Sequence, residues 1–374
     1  MAKAVYVGVD SKARKMKKAY IGIGGKARKV KKMYIGVGGK ARLCYSAELE
    51  KVGMAAALST ARYDMRAATV GKYALFAGGY ISKSPFGYSV SSSVDAYNTS
   101  LTKSTPTELS CKRCGHAAAS VGGYALFAGG ASSRKGLGYY DNIVSSVDAY
   151  DASLTRSAAH IMGSAVEIGG VAAGNYALFA GGAVSMPISE DSVTSDVLAY
   201  DPSLTFTTAP WLSVARANVK GASAGNYALF AGGRADSLCT TVDAYNASLT
   251  RTTATALSST ENNSAAATVG NHAIFVGNTA SADIYDASLT KTSAAILSTA
   301  RTGLAATTVG DYAIFSGGGV ADFCDASLTR SSIGTSMTGY DMGAVTIGDY
   351  ALFAGGHSDE NSDTAYDSVE AYTA

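Results

Sequence analysis

The sequence predicts an all-β, seven-bladed β-propeller of four-stranded blades. Its last blade is closed by an N-terminal outer strand, and a small basic β-hairpin repeat segment precedes it. Three observations carry this reading. One apolar heptapeptide recurs seven times: YALFAGG begins at Tyr73, Tyr124, Tyr176, Tyr227 and Tyr350, with HAIFVGN at His272 and YAIFSGG at Tyr312. A second marker follows each copy, as VDAY at 94, 147 and 242, VLAY at 197, VEAY at 369, ADIY at 282 and ADFC at 321; the tripeptide SLT then follows in six of the seven. The third observation is charge. Residues 1–42 hold thirteen Lys and Arg against one acid, a net +12, while the other 332 residues hold 18 basic and 28 acidic side chains, a net −10. Two surfaces of opposite sign imply two domains, 1–46 and 47–374.

Each unit reads as four strands. The first is short and built of small apolar residues, as in AAATVG at 265–270. A two-residue turn follows with Gly in first place, as at Gly71-Lys72, Gly174-Asn175, Gly225-Asn226, Gly310-Asp311 and Gly348-Asp349. Gly there suits a type II′ hairpin. YALFA is the second strand and is apolar on both faces, as a sheet covered on both sides must be. VDAY opens the third strand, which ends at Asn98, Asp151, Asp201, Asn246, Asp286 or Asp325 before a short turn. Asp201-Pro202 marks that turn as type I. The fourth strand is polar and Thr-rich, LTRTTATAL at 249–257, as an outermost strand in water would be.

Sheets that are apolar on both faces must stack on one another, and radial stacking leaves only short edges. The seventh unit lacks a fourth strand after VEAY, while AELEKVGMAAALSTAR at 47–62 matches ASLTKTSAAILSTAR at 287–301. The orphan outer strand at 49–57 is therefore expected to complete blade seven. The Gly-Gly after an apolar strand, the later V-x-x-Y-[DN], and the R-x-G-H-A of Arg113–Ala117 resemble the kelch repeat over about residues 48–374. That resemblance implies a propeller and says little about activity. It departs from the kelch pattern in lacking the outer-strand Trp, since Trp211 is the only Trp.

Residues 6–45 contain three 14-residue units, YVGVDSKARKMKKA, YIGIGGKARKVKKM and YIGVGGKARLCYSA, in register at Tyr6, Tyr20 and Tyr34. DS, GG and GG fall where hairpin turns belong. Forty residues with so few large apolar groups cannot build a solo core. A meander or prism completed by oligomerisation or by a partner is expected, with Tyr6, Tyr20, Tyr34, Lys26, Arg28, Lys40 and Arg42 as assembly residues. GGKARKVKK lacks the strand–loop–helix context of a phosphate loop, so nucleic acid is not the expected partner. The segment resembles basic repeats at the start of tail-associated proteins of phages and prophages. This implies docking to other tail or baseplate proteins, a homo-oligomer, and location in the virion tail after synthesis in the host cytoplasm.

Composition narrows the rest. The apolar runs are about five residues long and end in Gly, far short of a membrane span, and the N-terminus MAKAVYVGVDSKARK has no signal-peptide h-region. Five Cys give no disulfide framework. The four His (116, 160, 272 and 357) are scattered; His116 sits in the kelch-like GHA and His272 replaces a blade Tyr. CKRCGH at 111–116 is a lone CxxC whose Cys111 and Cys114 align with Thr299 and Thr302, which reads as small-residue substitution rather than a metal site. HSDENSD at 357–363 is rich in oxygen donors, enough for a weak Ca²⁺ site or a solvated loop. The repeated Asp of VDAY read as turn and strand-end residues. No catalytic constellation is found, so no enzyme, cofactor or metal is expected.

Strand parity puts every second-to-third and fourth-to-first connection on one face of the ring. The second-to-third connections are long in blades one (80–93), two (131–146), three (183–196) and seven (357–368), which are ring neighbours and form one wall. They carry Tyr80, Phe86, Tyr88, Tyr139 and Tyr140 beside Arg134, Lys135 and Asp141. Such aromatics suit stacking on sugar or protein, or else pack the loops onto the blades. Arg62, Arg113, Arg216 and Arg301 recur before the first strands and are candidates to ring the channel mouth, or to bond internally. The expected function is that of a tail-associated adhesin recognising a host-surface glycan or protein. The competing readings are an intracellular kelch-type interaction scaffold and an unrecognised carbohydrate-active enzyme.

Overall fold

A computed structural model describes residues 6–374 except 10–11, 16–18, 24–25, 31, 38–39, 47, 85–86, 136–138, 160–162, 164, 261–263 and 359–363. Seven four-stranded antiparallel sheets each run from a first, inner strand to a fourth, outer one, in sequence order in all but the seventh. Blade one is Arg66–Val70, Tyr73–Ala77, Val94–Asn98 and Lys103–Ser104. Blade seven is Gly343–Ile347, Tyr350–Ala354 and Val369–Thr373, and its outer strand is Glu50–Met54 from the other end of the propeller sequence. The pairing runs Thr373↔Glu50, Tyr372↔Lys51, Ala371↔Gly53 and Glu370↔Met54, with one bulge. The orphan strand is thus where its sequence match places it. No helix among the described residues is long and apolar enough to cross a membrane.

The core lies between blades rather than inside one. Alternate residues of each YALFA strand point to opposite neighbours. Ala74 and Phe76 pack with blade seven, and Leu75 and Ala77 pack with blade two. All four are fully buried. Seven apolar clusters fill seven seams, including the seam between blades seven and one, so the ring is closed. Phe76 meets Tyr97 of its own third strand edge-on at 5.9 Å, a contact repeated by Phe127–Tyr150, Phe179–Tyr200, Phe230–Tyr245, Phe275–Tyr285 and Phe353–Tyr372. In blade six Cys324 takes the Tyr position, and Phe323 meets Tyr312 edge-on instead.

The inner strands consist of small residues because seven backbones converge on one axis. Their hydroxyls join neighbours. Ser120 Oγ donates to Thr69 O (2.8 Å), Ser223 Oγ to Ala172 O (2.8 Å) and Thr268 Oγ1 to Ser223 O (3.1 Å); Thr308 and Thr346 do the same one blade further on. The first turn is as read: Gly71 has φ +54° and the residue after it does not have positive φ. A Cβ there would also lie 3.1 Å from Ala152 of the next blade. The SLT turn holds a feature the sequence reading lacked. Leu101, Leu154, Leu204, Leu249, Leu289 and Leu328 all take left-handed backbone, φ 58–65°. This conformation is costly for Leu. It turns all six side chains into the seams between blades.

Two findings concern segments outside the seven sheets: the first is a correction, and the second bears out the expected β-hairpin repeats. The connections of blades one and two are not loops. Tyr80–Ser84, Gly87–Val90, Ala131–Lys135 and Tyr140–Ile143 form an eighth four-stranded sheet, joined where Tyr88 pairs with Arg134. The 14-residue repeats form three separate two-stranded sheets, Tyr6–Val9 with Lys12–Lys15, Tyr20–Ile23 with Lys26–Lys29, and Lys32–Val37 with Lys40–Ser46. Each closes over two residues at the expected turn, and a single continuous meander is not formed among the described residues.

Ring closure makes two predictions. Removing residues 1–46 should leave a soluble propeller, whereas removing 1–60 exposes the third strand of blade seven and should cause aggregation. Light scattering on the two truncated chains reads the difference, and equal behaviour contradicts the closure. The second prediction concerns acid. Buried Glu370 accepts from Lys51 Nζ (2.5 Å), Thr335 Oγ1, Ser336 N (3.1 Å) and Tyr372 OH (2.6 Å). Burial alone would raise its pKa, but these bonds outweigh it and hold the carboxyl below its ordinary range. Its contribution is therefore complete above the unfolded value of about 4.3 and is lost as pH falls through the lowered folded value. In an acid titration followed by circular dichroism, Glu370→Gln should remove that part of the pH dependence.

Candidate functional site

Six of the blades are entered through a described segment that bends just before the inner strand. The bend residue takes left-handed backbone at Asp64, Gly115, Glu167, Asn218, Gly303 and Asp341, φ 51–60°. This turns its N–H toward the preceding blade. Asp64 N donates to Asp341 O (2.7 Å), Glu167 N to Gly115 O (2.7 Å), Asn218 N to Glu167 O (2.6 Å) and Asp341 N to Gly303 O (2.8 Å). The bends are therefore linked main chain to main chain in two runs at the channel mouth, 115–167–218 and 303–341–64, which hold their side chains there.

The next ring of positions, at the starts of the inner strands, is Arg66, Ala117, Gly169, Lys220, Ala265, Ala305 and Gly343. Five small residues leave a cavity of about 240 Å³, lined also by Arg66, Glu167, Asn218 and Lys220. Arg66 donates to Asp64 Oδ1 (2.7 Å) and to His116 O (2.9 Å). Lys220 Nζ donates to Asn218 Oδ1 (3.1 Å). Burial pushes the Lys220 ammonium below its ordinary pKa, with Arg66 adding to the shift. Burial likewise raises the Asp64 carboxyl, against the opposing pull of Arg66. Asp341 is lowered: burial would raise it, but the hydrogen bond and charge of His357, 3.1 Å away, outweigh that. Ionisable groups of both signs thus converge in one concave place, the kind of arrangement that binds a polar ligand.

The eighth sheet stands beside this mouth and is tied to it. Tyr140 donates a short hydrogen bond to Glu167 Oε1 and lies 3.4 Å from the Tyr80 hydroxyl. Arg134 donates to Tyr80 OH (3.1 Å), and its guanidinium lies 4.9 Å from the Tyr88 ring and 5.0 Å from the Tyr140 ring. Of the aromatics expected on the recognition wall, Tyr80 and Tyr140 are buried, Tyr88 is half-buried, and Tyr139 is exposed at 44%. Packing therefore claims Tyr80 and Tyr140. Asp141 pairs with Lys135 at 2.8 Å on the surface. Phe86 lies outside the described residues, as does His160 and as do positions 359–363 of the expected Ca²⁺ loop. The side chains of Tyr6, Tyr20, Tyr34, Lys26, Arg28, Lys40 and Arg42 are outside them too, although their backbones are in the hairpin strands.

The four recurrent arginines do not ring the channel. They turn into the blades, and the Asp of VDAY is their partner rather than a solvated strand-end residue. Arg62 pairs with Asp95 (2.5 Å), Arg113 with Asp148 (2.6 Å), Arg216 with Asp243 (3.0 Å) and Arg301 with Asp322 (2.7 Å). The first three arginines are fully buried. Each also donates to main-chain carbonyls; Arg113 reaches Phe127 O, Gly129 O and Ser146 O at 3.3, 3.2 and 2.9 Å. A Ser three residues before the Arg caps the same carboxylate, as Ser110 and Ser213 do. The signal for this pairing in the sequence is the co-occurrence of S-x-x-R with VDAY in the same repeat. His116 is buried, and burial with the charges of Arg113 and Arg66 pushes it well below its ordinary pKa. Cys114 donates to Ala131 O (3.3 Å), and burial raises its thiol to about 12. No group of three or more metal-type ligands occurs among the described residues.

These features define a kelch-like β-propeller with a polar mouth and an added sheet on one face. The structure is similar to that of YjhT, with a TM-score of 0.53 and 12% identity, covering 84% of this chain and 96% of that one. At that identity the likeness concerns the fold alone. No family model and no curated protein matches the chain.

The buried pairs make a stability prediction. Arg216→Ala leaves buried Asp243 with only Ser213 and the more distant Arg251 (3.8 Å) as partners, which should cost about 3 kcal/mol in urea denaturation. Adding Asp243→Leu should recover part of that loss, because the unpaired charge is removed. Equal stability of the single and double variants would contradict the role assigned to the pair.

Proposed function

We propose that the chain is a non-enzymatic recognition protein of a phage or prophage tail, whose propeller binds a host-surface glycan or protein. The observation that carries the reading is the difference between the two faces of the ring. One face has only tight, repeated turns, in which Asp or Asn at the third-strand end accepts two main-chain N–H groups, as Asp286 does from Ser288 and Thr290. The other face has the eighth sheet, the exposed Tyr139 and the channel mouth with Lys220 and Arg66. Sequence cost concentrated on one face is what ligand recognition requires and folding does not. The basic hairpins, opposite in net charge to the rest of the chain, would dock the propeller to other tail proteins or to further copies.

A second reading, a carbohydrate-active enzyme, is favoured by one observation. Glu167 receives the Tyr140 hydroxyl at the edge of the mouth, beside ionisable groups with shifted pKa values. Loss of polysaccharide-cleaving activity on Glu167→Gln would select it.

Binding of the full chain to bacterial cells or to a glycan array tests the recognition reading. Tyr139→Ala removes an exposed aromatic anchor and should weaken binding about thirtyfold, the equivalent of about 2 kcal/mol, with the fold intact. Ser288→Ala on the opposite face should be silent. Binding that survives Tyr139→Ala and Lys220→Ala but is lost on altering the turn face would place recognition on the wrong side of the ring.

A further inference from the structure

The turns on the face away from the channel mouth repeat closely, and blade four departs from most of them at one residue. At the ends of their third strands Asp151, Asp201, Asp286 and Asp325 accept, through Oδ1, the N–H groups of the Ser and Thr that follow. Each also takes the hydroxyl of that Ser, at 2.6–2.7 Å. Blade four has Asn246 instead. Its Oδ1 accepts Ser248 N (3.0 Å) and Thr250 N (2.9 Å), so the turn is kept. The Ser248 hydroxyl, however, bonds to no other described residue. With Oδ1 committed to two main-chain donors, the Asn246 Nδ2 group is left as an unused donor held in a fixed place.

The seam between blades four and five opens beside it. A cleft of about 460 Å³ is lined there by Asn226, Tyr227, Asn246, Ser248, Asn271 and Ala287. Asn226 and Asn271 stand second in the Gly-first turns of the two blades and are exposed. Neither amide side chain, nor the Tyr227 hydroxyl, bonds to another described residue. Gly225 keeps the base of the cleft clear: its φ is +54°, and a Cβ there would lie 2.6 Å from Ala287 Cβ. The lining holds no charge. Each of the other six seams has one at the equivalent positions, from Lys72 in blade one, from Asp151, Asp201, Asp286 and Asp325 at third-strand ends, or from Asp311 and Asp349 in the first turns.

We propose that this cleft binds an uncharged sugar. A sugar ring offers adjacent hydroxyls that both donate and accept, which three amides and a free serine hydroxyl can match in either sense. The half-buried Tyr227 ring and the Ala287 methyl give its C–H face a small apolar floor. Nothing in the lining compensates a charged substituent. The inference does not rest on the recognition reading, because the cleft lies on the face of the ring away from Tyr139 and the mouth.

Saturation-transfer NMR on the full-length protein, with the methyl glycosides of glucose, galactose and mannose, reads the site. At least one should give a saturable response in the millimolar range, and glucuronic acid and glucosamine should give weaker ones. Asn246→Asp installs the turn that four other blades carry, recaptures the Ser248 hydroxyl and adds a charge. It should weaken the response about tenfold or more while the chain still melts cooperatively. Asn271→Asp, which places in blade five the residue found in the same turn of blades six and seven, should do likewise. Asn98→Asp makes the first exchange in blade one, away from the cleft, and should be silent. The proposal is overturned by no saturable response to any of the three glycosides, by a stronger response to either charged sugar, or by a loss in Asn98→Asp equal to that in Asn246→Asp. A response unchanged in both cleft variants but lost in Lys220→Ala would assign the sugar to the mouth, which overturns the cleft and leaves the recognition reading standing.

Discussion

The structure depends on the requirement that every sheet be covered on both faces. YALFA has no polar side, so no blade is stable alone, and each seam cluster draws its side chains from two blades. A row of such sheets would end in two exposed apolar faces. Closing the ring removes both, and the strand Glu50–Met54 then covers the edge left at blade seven. The other regularities follow from closure. Inner strands are Ala, Gly, Ser and Thr because they converge, and their hydroxyls bridge adjacent carbonyls. The SLT leucines accept left-handed backbone because the seam beside them must be filled. The entering bends do likewise, and in return link blade to blade through the main chain.

Closure also explains where chemistry can gather. The ring gives seven equivalent positions at each level, and function can appear only where the repeat is broken. Arg66 and Lys220 break a level of small residues. Glu167, Asp64 and Asp341 occupy bends that are Gly115, Asn218 and Gly303 in three other blades. Ala165 and Leu198 break the buried ion pairs. The polar mouth is a departure of this kind from a pattern that the remaining blades define.

Much of the fold was legible because it repeats. Strand order, the Gly-first turns and the closing strand all came from comparing copies within one sequence. The site was less legible for physical reasons. Arg62, Arg113, Arg216 and Arg301 were candidates for the channel because their partners are some thirty residues away in another strand, and pairing across a sheet has no local signature. Tyr80 and Tyr140 were candidates for exposure because they lie in long connections. Their burial depends on two connections pairing into an eighth sheet, Tyr88 against Arg134, which no single segment announces. Lys220 and Glu167 carry no signal in the sequence, since each is an isolated charge in its own repeat and meets the other groups of the mouth only across the ring.

The central claim is that one closed ring, latched by residues 50–54, holds all of this in place. Native-state hydrogen exchange measures it most directly. The account predicts that amides of Glu50–Met54 and Val369–Thr373 are protected together, to the same degree as the paired outer and third strands of the other blades. Rapid exchange across Glu50–Met54, with the rest of the propeller still protected, would contradict it.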